Sequence, residues 1–360
     1  MIDIIAGARP NFMKVAPLIR ELKKRNKINF RFIHTGQHFD SGMSKVFFQD
    51  LNLPKPNIHF KISGNTQSEQ TGQIMSYYEK VLKKKSPSLV IVVGDVNSTL
   101  AASIVAKKMQ IRLAHIEAGL RSNDLSMPEE LNRILTDSIS DFHFTTTKSA
   151  SKNLEKSGAN KKTIFHVGNI MIDSLKLSIK KFEDIKLLKK YDLSPKEYFI
   201  LTMHRPQNVD SREDFYKLLQ KIEDSVKDKV VLFPVHPRTK KNLPSIEHIS
   251  NNLRIIDPLP YNDFIYLMSN SLGVLTDSGG ITEESTHLNI PCITFRNSTE
   301  RPETVTLGTN ELIGTDPSKE NLQFFLDKII SGKWKKRKTI SKWDGKTAIR
   351  ICDILEKIYF

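Results

Sequence analysis

The sequence predicts an α/β protein made of two separate, doubly wound parallel sheets. Three observations lead there. In the first half, short β-branched runs alternate with helical patterns, the grammar of parallel strands joined by crossover helices. The same grammar restarts after Gly168. The chain of 360 residues also exceeds the roughly 100 to 200 residues usual for one domain.

The first sheet is expected to use strands near Ile2–Ala6, Phe30–His34, Leu89–Val93, Ile111–Ile116 and Phe142–Thr145. The second is expected to use Phe199–Met203, Val230–Val235, Leu272–Thr276 and Cys292–Phe295. Ile170 to Lys190 reads as helix and linker. The apolar-periodic segment Ala348–Tyr359 reads as a last helix that returns to the first domain. The expected division is therefore 1–169 together with 345–360, and 170–344, with the two domains facing a cleft. In doubly wound sheets ligands sit beyond the carboxyl ends of the strands, so the residues just after each strand matter most.

Composition narrows the function classes. No apolar run approaches the ~20 residues of a membrane span, and the opening Met-Ile-Asp-Ile-Ile-Ala-Gly reads as a buried strand without a charged leader, so a cytoplasmic protein is expected. Two cysteines, Cys292 and Cys352, exclude a disulfide framework and a cysteine-based zinc site. A net charge of +15 asks for an anionic partner: nucleic acid, lipid headgroups or a phosphorylated metabolite. The densest basic run, Lys333–Lys338, and the lysines at 83–85 and 186–190 read as solvated faces, and no nucleic-acid-binding motif is present.

The first half carries acids after strands. Strand one runs through Gly7-Ala8-Arg9-Pro10-Asn11-Phe12-Met13-Lys14 into a helix, placing Arg9 and backbone amides where an anion is stabilised. Lys14 fits either a first-turn surface lysine or a site residue. The segment matches neither a Walker A loop nor the dinucleotide fingerprint. Gly94-Asp95 and His115-Ile116-Glu117-Ala118-Gly119-Leu120-Arg121 bring two carboxylates to strand ends. Asp95 fits a helix N-cap as well as a catalytic acid. Glu117 sits in an apolar context where an unpaired carboxylate is costly. Glu129 fits a capping box with Ser126, or a helix face shared with Asn132 and Arg133.

The second half carries donors and cations: His204-Arg205 after one strand, His236-Pro237 after the next, and Asp277-Ser278-Gly279-Gly280 at a strand-to-helix turn. Serine and glycine amides at a helix start suit a diphosphate. Glu284, a turn further, fits either an acceptor for a ribose diol or a helix-dipole partner. Arg296 and Arg301 add positive charge. No third ligand stands at metal spacing beside the histidines, so no metal site is expected.

Taken together, Gly7-x-Arg9-Pro10, Gly94-Asp95, His115-x-Glu117-Ala118-Gly119-Leu120-Arg121, Pro128-Glu129-Glu130-x-Asn132-Arg133, His204-Arg205, His236-Pro237 and Asp277-Ser278-Gly279-Gly280 resemble the UDP-N-acetylglucosamine 2-epimerase family. The resemblance runs from Gly7 to about Asn310. It implies two Rossmann-like domains in a GT-B-like arrangement, a UDP-sugar substrate, no cofactor and a homodimer. It implies that Asp95, Glu117 and Glu129 are the acid/base carboxylates and that His204 works near the leaving diphosphate. Arg9, Lys14, Arg133, His236 and Arg301 would be active-site or substrate contacts, and Ser278, Gly279, Gly280 and Glu284 would hold UDP.

Hydrolysing relatives typically open with a Gly-Ser-Arg-Ala-Asp/Glu-Tyr-type stretch, which Gly7–Lys14 does not match, so the resemblance favours the non-hydrolysing branch. The implied route is anti-elimination of UDP to a 2-acetamidoglucal and its return with reprotonation on the other face. Two departures stand out. Gly36–Met43 lacks the pattern many bacterial members use for an activating second substrate molecule. Asn11-Phe12 replaces a common glutamate, as in relatives acting on 2,3-diacetamido sugar nucleotides. The competing readings are a glycosyltransferase of the same two-domain plan and, more remotely, a basic nucleic-acid-binding protein.

Overall fold

A computed structural model of the chain describes residues 1–37, 48, 51–64, 66–179, 186–235, 237–243 and 252–359, the side chains of Arg9, Pro237 and Arg238 excepted. Among them thirteen strands form two wholly parallel sheets. Two compact units account for the chain: residues 1–176 with 341–360, and residues 177–340.

The first unit contains β1 (Ile2–Ala6), β2 (Phe30–His34), β3 (Ile58–His59), β4 (Leu89–Val93), β5 (Arg112–Ala118), β6 (Phe142–Thr145) and β7 (Ile164–His166). Their order across the sheet is β3-β2-β1-β4-β5-β6-β7, so the winding direction reverses between β1 and β4. The runs IDIIA and LVIVV are buried along their whole length, as expected of strands covered on both faces. Residues such as Ile33, Val90, Val92 and Leu113 pack beneath Ile74, Tyr78 and Leu82 of the helix Gln67–Lys84. That helix begins with a reciprocal capping box between Thr66 and Glu69.

The last helix, Thr347–Tyr359, belongs to this unit, as expected. Its Ala348, Ile351, Cys352 and Leu355 are buried and share one face by their i, i+3, i+4, i+7 spacing. Each fully buried Ile or Leu contributes about 1.5–3 kcal/mol relative to exposure. Its start is held by the Asp173 carboxylate, which accepts from the amides of Thr347 (3.2 Å) and Ala348 (2.9 Å). Arg25 fastens the polar side through Asp353 and Glu356.

The second unit contains β8 (Tyr198–Thr202), β9 (Val230–Pro234), β10 (Leu253–Ile256), β11 (Gly273–Thr276), β12 (Cys292–Thr294) and β13 (Asn310–Leu312), ordered β10-β9-β8-β11-β12-β13. Here the reversal falls between β8 and β11. Phe199, Leu201, Phe233, Leu275 and Ile293 form the core with Phe215, Leu219 and Ile222 of the helix Arg212–Ser225. Cys292 and Cys352 are buried free thiols; burial pushes them up to about 11 and about 12, which keeps both unreactive at neutral pH.

Candidate active site

The switch points concentrate the polar chemistry of each unit. In the first, the residues after β1 and β4 are tied together by Asn11. Its Oδ1 accepts from the amides of Gly7 (3.1 Å) and Ala8 (3.2 Å), and its Nδ2 donates to the Val93 carbonyl (3.0 Å). The departure at Asn11 is thus a fastening of the β1 turn to the end of β4.

One turn into the helix Arg9–Arg25, the buried Lys14 ammonium forms an ion pair with the buried carboxylate of Glu117. Glu117 lies at a register irregularity of β5 and has φ +71°, a conformation costing about 1–3 kcal/mol for a residue with a side chain. Gly94, with φ +68°, makes room for the pair. A Cβ there would stand 3.1 Å from Lys14 Nζ and 3.5 Å from Glu117 Oε2. Lys14 is therefore a buried partner of Glu117, which removes its reading as a surface lysine.

Asp95 follows Gly94 directly. Its Oδ2 accepts from Arg133 Nε (2.9 Å) and Nη2 (2.7 Å), and its carbonyl accepts from Asn132 Nδ2 (2.8 Å). Val96, not Asp95, occupies the N-cap of the helix Asn97–Lys108, so the capping role does not form. Asp95 and Glu117 thus leave the ends of neighbouring strands, each against a cation.

The helix Pro128–Ile139 departs from the usual amphipathic arrangement. Glu130, Asn132, Arg133, Thr136 and Asp137 are buried, whereas Leu131 and Leu135 are 51% and 40% exposed. A helix that turns its polar face inward does so because that face has polar partners there. Glu129 is exposed in the first turn. The expected capping box is not made: Met127 is the N-cap, and the Ser126 hydroxyl donates to Asp124 (2.6 Å). The buried acid of the first turn is Glu130, which accepts from the amides of Ser122 and Asn123 and pairs with Arg133 at 2.5 Å.

Sequence reasoning also passed over a buried triad. His115 Nδ1 lies 2.7 Å from Asp137 Oδ1 and Nε2 lies 2.8 Å from the Gly94 carbonyl. Asp137 Oδ2 accepts from Gly119 N (3.0 Å) and Arg121 Nη1 (2.6 Å). Burial alone would raise the Asp137 carboxyl, yet His115 and Arg121 hold it below the usual carboxylate value. This cluster braces the Gly94 turn; His115 and Arg121 stood in the quoted motif, and Asp137, their shared partner, is the member that the sequence reading did not single out.

In the second unit His204 follows β8 and Asp277 follows β11, side by side at the reversal. The Asp277 carboxylate is fully buried, and its Oδ1 lies 2.9 Å from His204 Nδ1. Burial opposes its ionisation, but His204 and the neighbouring amides hold it at about 2. Ser278 caps the helix Gly279–Leu288 through its backbone position, without a side-chain cap. A Cβ on Gly279 would meet Arg296 Nη1 at 3.4 Å and Arg301 Nη1 at 3.6 Å, so guanidinium groups flank the bare helix start. Arg296 pairs with Glu300 at 3.0 Å, and Arg301 pairs with Glu283.

Glu284 is buried and accepts from the Tyr261 hydroxyl at 2.7 Å. Burial pushes its carboxyl up to about 8, the Tyr261 bond opposes that, and neighbouring Glu283 adds to it. No acid occupies the first turn of this helix, so Glu284 is not the helix-dipole partner. His236, the side chain of Arg9 and residues 38–43 of the Gly36–Met43 segment lie outside the described residues. Among the described residues no group of three or more His, Cys, Asp or Glu is placed to hold a metal ion, and no helix is long and apolar enough to cross a membrane.

Two parallel sheets, each with charged and hydrogen-bonding groups gathered where its winding reverses, define an α/β enzyme. The profile described as UDP-N-acetylglucosamine 2-epimerase matches residues 20–356. The UDP-N-acetylglucosamine 2-epimerase of Methanocaldococcus jannaschii is 43% identical over 328 residues, covering 88% of this chain and 89% of that protein. A UDP-2,3-diacetamido-2,3-dideoxy-D-glucuronate 2-epimerase of Pseudomonas aeruginosa is 38% identical over 314 residues, 86% of this chain and 87% of that one. The crystal structure of the M. jannaschii UDP-GlcNAc 2-epimerase in complex with UDP-GlcNAc and UDP matches with a TM-score of 0.89 at 40% identity over 99% of each chain. The chain belongs to the UDP-N-acetylglucosamine 2-epimerase family and is an isomerase. Membership sets aside the glycosyltransferase reading.

Proposed function

We propose that this isomerase interconverts UDP-N-acetylglucosamine and UDP-N-acetylmannosamine without hydrolysis. The observation that carries the reading is the pair of carboxylates at adjacent strand ends of the first unit, Glu117 against Lys14 and Asp95 against Arg133. The C2 hydrogen of a hexose is not acidic enough to exchange unaided, so inversion there requires positioned proton acceptors and donors. In the proposed route a carboxylate takes the C2 proton as the C1–O bond to UDP breaks, leaving a 2-acetamidoglucal. UDP then re-forms the C1–O bond and a proton returns to C2 on the opposite face.

Each positioned acid or base contributes about 10²- to 10⁴-fold in rate. Glu129, exposed on the same helix as Asn132 and Arg133, is proposed as the third carboxylate. The second unit's part is to hold the nucleotide. The helix start at Ser278–Gly280 with Arg296 and Arg301 suits a diphosphate, Glu284 suits the ribose diol, and His204 suits the departing phosphate oxygen. Arg9 and His236 are proposed as further diphosphate or substrate contacts by the family likeness.

A second reading keeps the reaction and changes the sugar. The P. aeruginosa relative named for a 2,3-diacetamido glucuronate, together with Asn11-Phe12, supports a UDP-2,3-diacetamido substrate. The deciding experiment is proton NMR in D₂O with each sugar nucleotide and no added metal or NAD. Deuterium entering C2 of UDP-GlcNAc, with UDP-ManNAc appearing, is the expected result. Exchange only with the diacetamido sugar transfers the assignment to it, release of free ManNAc and UDP indicates the hydrolysing reaction, and silence with both overturns the proposal.

A further inference from the structure

We propose that Asp277 is a positioning residue that fixes the ring of His204 with Nδ1–H on its carboxylate, so that Nε2 is the nitrogen offered to the leaving oxygen. Three features carry this. The Asp277 side chain is fully buried and ionised, and an ionised carboxylate only accepts hydrogen bonds. Its Oδ1 is buried without a hydrogen bond and lies 2.9 Å from His204 Nδ1, so a proton on Nδ1, brought into line by a small turn of the ring, is the one that satisfies this oxygen. Its Oδ2 accepts from the backbone amides of His204 (2.9 Å) and Arg205 (2.8 Å) and from Asn208 Nδ2 (3.1 Å).

One carboxylate thus holds the main chain of His204 through Oδ2 and sets Oδ1 against the ring of the same residue. The Arg205 guanidinium closes the arrangement, its Nε donating to the Asp277 carbonyl at 3.0 Å. The geometry fits an orienting role better than charge neutralisation alone. A buried Asp that merely satisfied the turn would need the amides and not the ring. His204 meanwhile keeps its side chain 43% exposed, so the ring is reachable on the side away from Asp277. With Nδ1 committed, every proton His204 gives or takes during turnover passes through Nε2.

The role of His204 in turnover rests on the proposed epimerase reaction, whereas the ring's proton position does not. The first test is therefore nitrogen-15 NMR of the histidine side chains in ligand-free wild-type enzyme, with the His204 signals identified by their loss in His204→Asn. The expected signature is a protonated Nδ1 and a bare Nε2, converting in Asp277→Asn to a mixture of tautomers or to Nε2–H. An Nε2–H ring in the wild type overturns the proposal, as does an unchanged tautomer in a folded Asp277→Asn.

The second test is C2 exchange in a double-mutant cycle. Asp277→Asn is expected to slow kcat by about 10- to 100-fold with KM little changed, and to slow His204→Asn no further. Independent, multiplying losses overturn the proposal. If wild-type enzyme exchanges neither sugar nucleotide, the epimerase reading fails while the NMR result still decides the role of Asp277.

Discussion

Replacing Glu117 by Gln separates what the Lys14–Glu117 pair does for stability from what it does for turnover. The substitution keeps the shape and one acceptor oxygen but removes the charge that faces a buried ammonium. Removing one partner of a buried ion pair outright costs about 3–5 kcal/mol. The amide oxygen still accepts a hydrogen bond, so the cost falls to about 1–3 kcal/mol. For a unit of this size that lowers the melting temperature by roughly 2–4 °C per kcal/mol, and the variant stays folded at 25 °C.

The kinetic loss is of a different kind. A missing acid or base removes about 10²- to 10⁴-fold, or about 2.7 to 5.4 kcal/mol of transition-state stabilisation. The assay is C2 deuterium exchange by proton NMR, run beside calorimetric titration with UDP. Exchange should fall at least about a hundredfold while UDP affinity stays within about tenfold, the pattern of a group acting only in the transition state. Adding Lys14→Met should restore much of the melting temperature, because the uncompensated charge goes too, and should restore none of the exchange. Exchange in Glu117→Gln within a few-fold of wild type would refute the reasoning.

Two other consequences are open to measurement. The folded Glu284 carboxyl, near 8 against an ordinary 4.5, retains a proton that the unfolded chain releases. Wild-type stability should therefore fall as pH rises from about 4.5 to 8 and level off above that. Glu284→Gln should gain on wild type across the same window, by on the order of 3–5 kcal/mol at pH 9, in denaturant melts; a difference independent of pH would count against the buried, protonated acid. Gly94→Ala forces a side chain into φ +68° and against Lys14 Nζ, so it should cost about 1–3 kcal/mol and slow exchange by displacing the pair, whereas a variant as stable and active as wild type would show that the turn relaxes freely.

Much of this architecture was legible in advance, and the misses have one physical pattern. Leu89–Val93 was readable because a strand of a covered parallel sheet is a short apolar run, and Ile2–Ala6 and Phe142–Thr145 because they are short runs broken only by Asp3, and by His143 and Thr145. β3, β7, β10 and β13 were not read, and they are the four outermost strands of the two sheets. With a neighbour on one side only, segments such as Ile58–His59 and Asn310–Leu312 are brief and partly polar, and they carry no pattern of their own. In the helix Pro128–Ile139 the sequence reading singled out Glu129 and passed over its first-turn neighbour Glu130, which is buried and holds Arg133 and the Ser122–Asn123 turn.

Residue type and chain order by themselves determined the α/β class, the restart into a second sheet, the return of the last helix and the strand ends where charged groups gather. Periodicity records burial, and burial is local. The pairings were settled only by the folded structure: Lys14 with Glu117 across 103 positions, Arg133 with Asp95 across 38, and His204 with Asp277 across 73. Partners that far apart meet because the winding of each sheet sets particular strands side by side, and no local pattern along the chain encodes which carboxylate will find which cation.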